Sequence, residues 1–180
     1  MSEWTERKVS DLGIVLTGKT PQTSHSEYYG GAIPFITPSD DMNVKYMRST
    51  KKTLTTAGAE SVKKYKIPAG TVCVSCIGSD LGKVIIATVE SVTNQQINSI
   101  IVDTEHFDID FVYYAMTILG RQLNYDSKFS SVVPIINKGN FSNYTIMCPE
   151  LEEQKRISRY LSLIDEKIEL NENINKNLAA

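Results

Sequence analysis

A pair of cysteines is the first feature of this sequence that could carry chemistry. Cys73 and Cys76 have the CxxC spacing of metal and redox sites, but no second pair accompanies them. They also lie in an alternating, β-branched run, in which residues three apart point to opposite faces of a strand. We therefore interpret both cysteines as structural side chains and keep a metal or redox site as the alternative.

The other residue types that catalyse reactions do not form a recognisable site. His25 and His106 are far apart in the sequence, without the carboxylate and serine pattern of a triad around them. The sequence has no Gly-rich dinucleotide fingerprint and no Walker A motif. Glu153 and Lys155 match half of some nuclease sites, but they lack the Pro-Asp partner. We predict a chain that is not an enzyme and holds no cofactor or metal, with a stand-alone nuclease as the least favoured alternative.

A binding surface is better supported, because positive charge is concentrated in one block. Residues 43–66 contain seven Lys or Arg side chains and one Glu, a local charge of +6, whereas the whole chain has a formal net charge of −2. Polar loops at 18–24 and 93–97 add side chains that pair with base edges and phosphates. A solvated lysine-rich face and ordinary turns are the alternatives. The side chains that we predict to contact nucleic acid are Lys19, Thr20, Ser39, Lys45, Arg48, Lys51, Lys52, Ser79, Lys83, Gln95, Gln96, Ser130 and Lys138.

Short strands must position these loops. The runs 71–77 and 83–89 flank a glycine-bracketed turn and predict paired strands, and 98–102 and 142–148 predict two more. Apolar residues at helical spacing over 109–123 predict a helix capped by Asp108. Together these elements indicate an α+β domain over residues 1–149. The charged N-terminus, the odd number of cysteines and the lack of a long apolar run favour a cytoplasmic setting.

The last part of the chain, residues 150–180, has the pattern of a projecting amphipathic helix. It contains no Gly or Pro, and its apolar positions repeat every three to four residues, as in a coiled-coil seam. A second apolar stripe widens the face, so we expect a partner helix; a helix folded flat on its own domain is the alternative. The predicted helix interface comprises Ile157, Leu161, Ile164, Ile168, Asn171, Ile174, Asn175 and Leu178.

The start of this helix resembles a family signature. Its pattern is similar to the P-x-L-x-E-Q-x-x-I-x-x-x-L-x-x-x-D-x-x-I motif of type I restriction-modification specificity subunits. The matching residues are Pro149, Leu151, Glu153, Gln154, Ile157, Leu161, Asp165 and Ile168. Upstream segments agree with the family in order and spacing, and they are Trp4 with Leu12, Gly18-Lys-Thr-Pro21, Tyr29–Ile36 (with Phe35 for the usual Trp), Pro68-Ala-Gly-Thr-Val72, Gly78 with Leu81-Gly82, and Thr93-Asn-Gln95. The resemblance covers nearly the whole chain.

The resemblance implies a division of labour. In this family a recognition domain reads one half of a split DNA target, and long helices act as spacers that dock methyltransferase subunits and, through them, restriction subunits. S-adenosylmethionine, ATP and Mg²⁺ would be bound by those partner subunits. A complete subunit has two recognition domains and two helical regions, so we expect this chain to be half a subunit. Its helix would pair with the second, antiparallel helix of an intact subunit or, where this half is isolated, with a copy of itself. A scaffold that recruits partners without reading DNA is the alternative.

Overall fold

The computed structural model describes residues 3–127 and 136–178 and has four α-helices and eleven strands in that part of the chain. The strands are β1 (Thr5–Lys8), β2 (Gly13–Thr17), β3 (Tyr29–Ile36), β4 (Tyr46–Met47), β5 (Thr53–Leu54), β6 (Lys66–Ile67), β7 (Val72–Ser75), β8 (Val84–Ala87), β9 (Ser91–Thr93), β10 (Ile97–Val102) and β11 (Thr145–Cys148). The helices are α1 (Thr56–Ser61), α2 (Ile109–Ser127), α3 (Lys138–Asn143) and α4 (Leu151–Leu178). This mixed content confirms the predicted α+β class.

Two sheets and a small ribbon organise the chain. The larger sheet has the order β2-β10-β7-β8-β4, and the smaller one β5-β3-β9-β6. Strands β1 and β11 pair as an antiparallel ribbon, which brings the first described residues next to the start of α4. None of the described helices combines the length and apolarity that crossing a membrane requires.

The predicted hairpin and helix of the larger sheet are confirmed. Strands β7 and β8 pair antiparallel, with Val72 opposite Ile86. Helix α2 begins where expected, because Asp108 caps it by accepting a hydrogen bond from the Phe111 N–H at 2.9 Å, and it runs four residues beyond the predicted end. The α2 face with Val112 and Met116 is fully buried against the sheet.

Apolar cores lie on the two faces of the larger sheet. Cys76 packs with Val72, Val74 and α2 on one face, while Cys73 packs with Ile85 and Ile97 on the other. The prediction that the two cysteines point to opposite faces is therefore confirmed. All three cysteines of the sequence are buried and carry free thiols.

The segment before the last strand differs from the prediction. We expected a strand over 142–148, but residues up to Asn143 form α3 and β11 begins at Thr145. The physical reason is a cap: the Asn137 side chain accepts a hydrogen bond from the Asn140 N–H at 2.9 Å and starts a helical turn. Local capping outweighs strand propensity in these few residues.

Helix α4 begins two residues after Pro149 and becomes more exposed toward its C-terminal end. Its first turns belong to the core, because Gln154 and Ser158 are buried and Ile157 packs against the main cluster. From Ile164 onward the described apolar side chains are exposed, and Ile164 itself is 56% exposed. The domain therefore leaves the apolar side chains of this second half uncovered.

Candidate nucleic-acid interface

Strand order places several polar loops at one edge of the larger sheet. Because β2, β10 and β7 are successively antiparallel, the end of β2, the start of β10 and the end of β7 meet at the same edge. Two backbone bonds hold them together there: the Gly18 N–H donates to Ile97 O at 3.2 Å, and the Cys76 N–H donates to Gln96 O at 2.9 Å.

The smaller sheet adds another loop to this edge. Strands β3 and β9 run parallel, and the Asn94 N–H, just after β9, donates to Ile36 O at the end of β3 at 3.1 Å. The chain that follows Ile36 therefore leaves from the same place. We call this surface the loop edge and define it as residues 18–22, 37–41, 78–80 and 94–96.

Loops far apart in the sequence contact each other at the loop edge through predicted site residues. The Thr20 hydroxyl donates to the Gln95 side-chain oxygen at 2.8 Å. The Asn94 amide donates to the Gln96 side-chain oxygen at 2.9 Å, so Gln96 is turned inward while Gln95 is exposed. Gly18 is required here, because a Cβ at this position would lie 2.1 Å from the Thr93 hydroxyl. The structure thus supports Thr20 and Gln95 as neighbours on one surface.

A buried carboxylate connects Ser39 to Lys51. Asp40 is 7% exposed, and it accepts bonds from the Thr37 N–H at 2.8 Å and from the Lys51 N–H at 2.6 Å. The Lys51 ammonium also donates to the Ser39 carbonyl oxygen. Asp40 thereby holds the loop after β3 and the chain before β5 in one arrangement, with both predicted side chains exposed.

Lysines at 63 and 64 belong to this surface and were missing from the predicted set. The Lys19 ammonium lies 5.6 Å from the centre of the Tyr65 ring, which places the short helical turn of residues 63–65 beside the loop edge. Both Lys63 and Lys64 are exposed. They lie at the C-terminal end of the basic block of the sequence, and the Lys19–Tyr65 contact places this end beside the loop edge.

The basic block does not act as a unit, and Lys45 and Arg48 lie elsewhere. The Lys45 side chain is only 10% exposed and pairs with Asp110 at 3.0 Å, which argues against the predicted phosphate contact. Arg48 is exposed but lines a groove of about 460 Å³ beside the acidic side chains Glu169 and Glu172 of α4. Both residues flank β4, which pairs with the last residues of β8. That end of β8 is opposite the loop edge, so Lys45 and Arg48 lie away from it.

The remaining predicted contacts are placed at or near the loop edge. Ser79 is exposed on the turn between β7 and β8, and Lys83 in the same turn pairs with Asp80 at 2.7 Å. Lys52 is exposed beside Lys51. Lys138 is exposed at the first position of α3, two residues after Ile136, whose N–H donates to Cys76 O at 3.1 Å. Ser130 lies outside the described residues.

The turn that carries Ser79 is held against α2 by two glycines. A Cβ on Gly120 would lie 1.9 Å from the Gly82 carbonyl oxygen, so the two backbones touch. The Asn124 amide adds a hydrogen bond to Leu81 O at 3.0 Å. These contacts with α2 therefore fix the position of this turn at the loop edge.

Residues with catalytic side chains are engaged in other roles. Glu153 pairs with Arg156 at 2.6 Å and Lys155 with Glu152 at 2.8 Å, as ordinary helix-surface pairs. Burial raises the pKa of Cys73 to about 12 and that of Cys76 to about 11, so both thiols stay protonated and are poor metal or redox groups.

One exposed group of metal-ligand type occurs in the described residues: Asp103, Glu105 and His106. The His106 ring forms a hydrogen bond of 2.8 Å with the Asp103 carboxyl, and this bond lowers the pKa of that carboxyl. This pairing stabilises the turn between β10 and α2, and it lies at the opposite end of β10 from the loop edge.

The predicted helix interface is divided by the fold. Ile157 and Leu161 are half-buried on the domain side, whereas the described positions further along are exposed. Those exposed positions are Ile164, Ile168, Asn171, Ile174 and Asn175. The side chain of Leu178 lies outside the described part. The first two positions thus attach the helix, and the others offer an uncovered face.

The fold is an α+β domain with polar loops gathered at one edge of its sheets and a projecting C-terminal helix. Comparison with known proteins identifies the family: residues 1–180 match the model of the type I restriction modification DNA specificity domain, and the chain belongs to this family. The type I restriction enzyme HindI specificity subunit of Haemophilus influenzae is 34% identical over 173 residues, covering 92% of this chain and 37% of that protein. The MjaIX specificity subunit of Methanocaldococcus jannaschii is 30% identical over 170 residues, covering 93% of this chain and 39% of its own length.

Solved structures share the fold. A chain from a type I R-M system superposes with a TM-score of 0.73 at 19% identity, covering 93% of this chain and 39% of that one. The HsdS subunit from Thermoanaerobacter tengcongensis gives a TM-score of 0.68 at 19% identity, with 93% and 38% of the two chains covered. The chain therefore spans less than two fifths of the length of these relatives.

Proposed function

We propose that this chain is the non-catalytic, DNA-reading part of a type I restriction-modification specificity subunit, and that it reads one half of a split target through the loop edge. The observation that carries the proposal is the convergence of four polar loops and several exposed lysines at one edge of the sheets. Family membership supports double-stranded DNA as the ligand.

The loop edge has the two kinds of side chain that duplex recognition needs. Exposed ammonium groups of Lys19, Lys51 and Lys52, with those of Lys63 and Lys64, would hold phosphates and set the register of the domain. Short polar side chains would contact base edges, and the candidates are Thr20, Ser39, Ser79, Gln95 and, outside the described residues, Ser130. Lys83, Gln96 and Lys138 flank these groups and stay candidates for backbone contact.

Salt-dependent binding tests the phosphate contacts. Each lysine that neutralises a phosphate contributes about 0.9 to the slope of log K against log salt concentration. We expect Lys51→Met and Lys19→Met each to reduce the slope by about one. Lys167→Met, which removes the same charge from the exposed surface of α4, is the matched control and should leave it unchanged. Equal slopes for all four proteins, with the parent binding DNA, would reject this surface.

Exchange of the domain tests reading against scaffolding. The proposal predicts that replacing residues 1–149 by the matching domain of a relative, in cells that hold the partner methyltransferase, changes the methylated sequence at one half of the target. An unchanged methylome with full methylation would instead establish the scaffold, in which α4 recruits partners and the loop edge does not select bases.

The uncovered face of α4 would bind a second helix and dock methyltransferase subunits. We propose that a copy of the chain supplies that helix when this half is alone, giving a two-fold dimer. S-adenosylmethionine, ATP and Mg²⁺ would belong to the partner subunits.

Measurement of mass in solution tests the dimer. Ile164→Asp places a charge in the uncovered face and should convert the dimer to a monomer. Ile118→Asp makes the same change on α2, at a side chain that is 71% exposed, and should leave the mass unchanged. A parent chain that is already monomeric at concentrations of tens of micromolar would refute self-pairing.

A further inference from the structure

Lys45 is the centre of a polar network that joins α4 to the recognition domain. Its ammonium lies 3.0 Å from the Tyr114 hydroxyl, 2.8 Å from the Ser162 hydroxyl and 3.0 Å from the Asp110 carboxylate. It also lies 4.5 Å from the centre of the Tyr114 ring. Lys45 precedes β4, and all three N–H donors of its ammonium have partners within the protein. Two of these partners are on α2 and one is on α4.

Tyr114 extends the network to a second turn of α4. Its hydroxyl donates to the Asp165 carboxylate at 2.6 Å. Burial raises the pKa of Tyr114 above its ordinary value, and the hydrogen bond to Asp165 raises it further. The hydroxyl therefore stays protonated as a donor across the physiological range. Because hydrogen bonds are directional, this network fixes the orientation of the helix more closely than apolar contact does.

The position of the network along α4 gives it leverage. At 1.5 Å per residue, Asp165 is about 21 Å from the start of the helix, Ile157 about 9 Å, and the helix end about 40 Å. If the helix pivots at its start, a sideways displacement of about 1 Å at Asp165 becomes about 2 Å at the helix end. This is less than the roughly 3.4 Å spacing of base pairs. The same displacement at Ile157 would become about 4 Å at the helix end, which exceeds one base-pair step.

We infer that Lys45, Tyr114 and Asp165 are positioning residues that fix the direction in which α4 projects from the recognition domain. In a split-target reader this direction sets where the second reading unit meets the DNA, so this meaning rests on the proposed function. The network would keep the two half-sites in register without itself touching DNA.

Distance measurement between spin labels tests the inference without DNA. Cysteines introduced at the exposed positions Ser10 and Asn171 carry the labels, while the native cysteines are buried. The labelled chain is diluted with unlabelled chain so that only distances within one molecule count. We expect one narrow distribution for the parent, and a distribution at least twice as wide for Lys45→Met and for Tyr114→Phe.

A core substitution separates positioning from general destabilisation. Val92→Ala removes buried volume from the smaller sheet, away from α4, and should leave the distance distribution unchanged even where it lowers the melting temperature. Unchanged widths for Lys45→Met and Tyr114→Phe would overturn the inference. Tyr114→Phe keeps the ring, so it serves as the folded test if Lys45→Met does not fold.

DNA binding distinguishes the failure of this inference from the failure of the proposed function. A positioning role predicts that Lys45→Met keeps the salt slope of the parent, whereas Lys51→Met reduces it. A reduction of about 0.9 for Lys45→Met would make Lys45 a phosphate ligand and would overturn the positioning role. The label distances stand whether or not the chain binds DNA.

Discussion

Substitution of Gln154 gives the sharpest test of how α4 is attached. This side chain is 1% exposed and joins three backbone groups. Its amide donates to Pro149 O at 2.9 Å and to His106 O at 3.3 Å, and its oxygen accepts from the Asp108 N–H at 3.0 Å. The start of α4, the turn after β10 and the cap of α2 are thus held by one residue, which explains its place in the signature.

Gln154→Leu keeps the volume of the side chain and removes all three hydrogen bonds. A buried polar group left without a partner costs about 1–3 kcal/mol. Pro149 O is the most buried of the three groups, while Asp108 is partly exposed, so we expect a total loss of about 2–4 kcal/mol. That is a large fraction of the roughly 5–15 kcal/mol that stabilises a domain.

Urea denaturation followed by far-UV circular dichroism measures this loss. Gln22→Leu, the same change at an exposed position, is the matched control and should stay within about 0.5 kcal/mol of the parent. A loss below about 0.5 kcal/mol for Gln154→Leu would refute the reasoning, because the three bonds would then contribute nothing beyond those made with water.

Gln154→Glu adds a dependence on pH with a definite sign. The carboxylate keeps the bond from Asp108 but faces two carbonyl oxygens, so burial and this repulsion should raise its pKa in the folded state. The protonated acid can donate to Pro149 O. The variant should therefore be closest to the parent near pH 4 and lose stability as the pH rises toward 8. An equal deficit at both pH values would contradict this account.

Three further predictions concern close packing and the burial of the thiols. Gly120→Ala should cost about 1–3 kcal/mol in urea denaturation, because the new methyl group meets the Gly82 carbonyl oxygen; Gly139→Ala, where the nearest atom is 3.3 Å away, is the milder control. The thiols of Cys73, Cys76 and Cys148 should resist a thiol reagent at pH 8 in the folded protein and react after unfolding. Burial raises the pKa of Cys73 to about 12 and the pKa of Cys76 and of Cys148 to about 11. Stability should also fall above about pH 9, since the unfolded thiols then ionise more readily. Rapid reaction of the folded protein would refute this.

Elements with a local cause were predictable. The β7–β8 hairpin follows from two β-branched runs around a glycine-bracketed turn, and α2 from its apolar spacing and the Asp108 cap. The start of α4 follows from Pro149 and the motif behind it. The short helix α3 was missed, because a capping side chain decided a stretch whose residues also suit a strand.

The site was predictable only as a set of residue types. Lys45 and Lys51 are alike in the sequence, both part of one basic block. In the structure Lys45 is nearly buried against Asp110, whereas Lys51 is exposed beside Ser39. No local pattern separates them, because the difference depends on which helix packs over each segment.

The amino-acid sequence by itself determined the family, the β7–β8 hairpin, helix α2 and the amphipathic character of α4, because motif spacing, capping and hydrophobic period are properties of neighbouring residues. Only the tertiary structure decided which loops share an edge, as with Thr20 and Gln95, and which lysine joins α4 to the domain. Those contacts join residues far apart in the chain, so strand order and helix packing must exist before they can form.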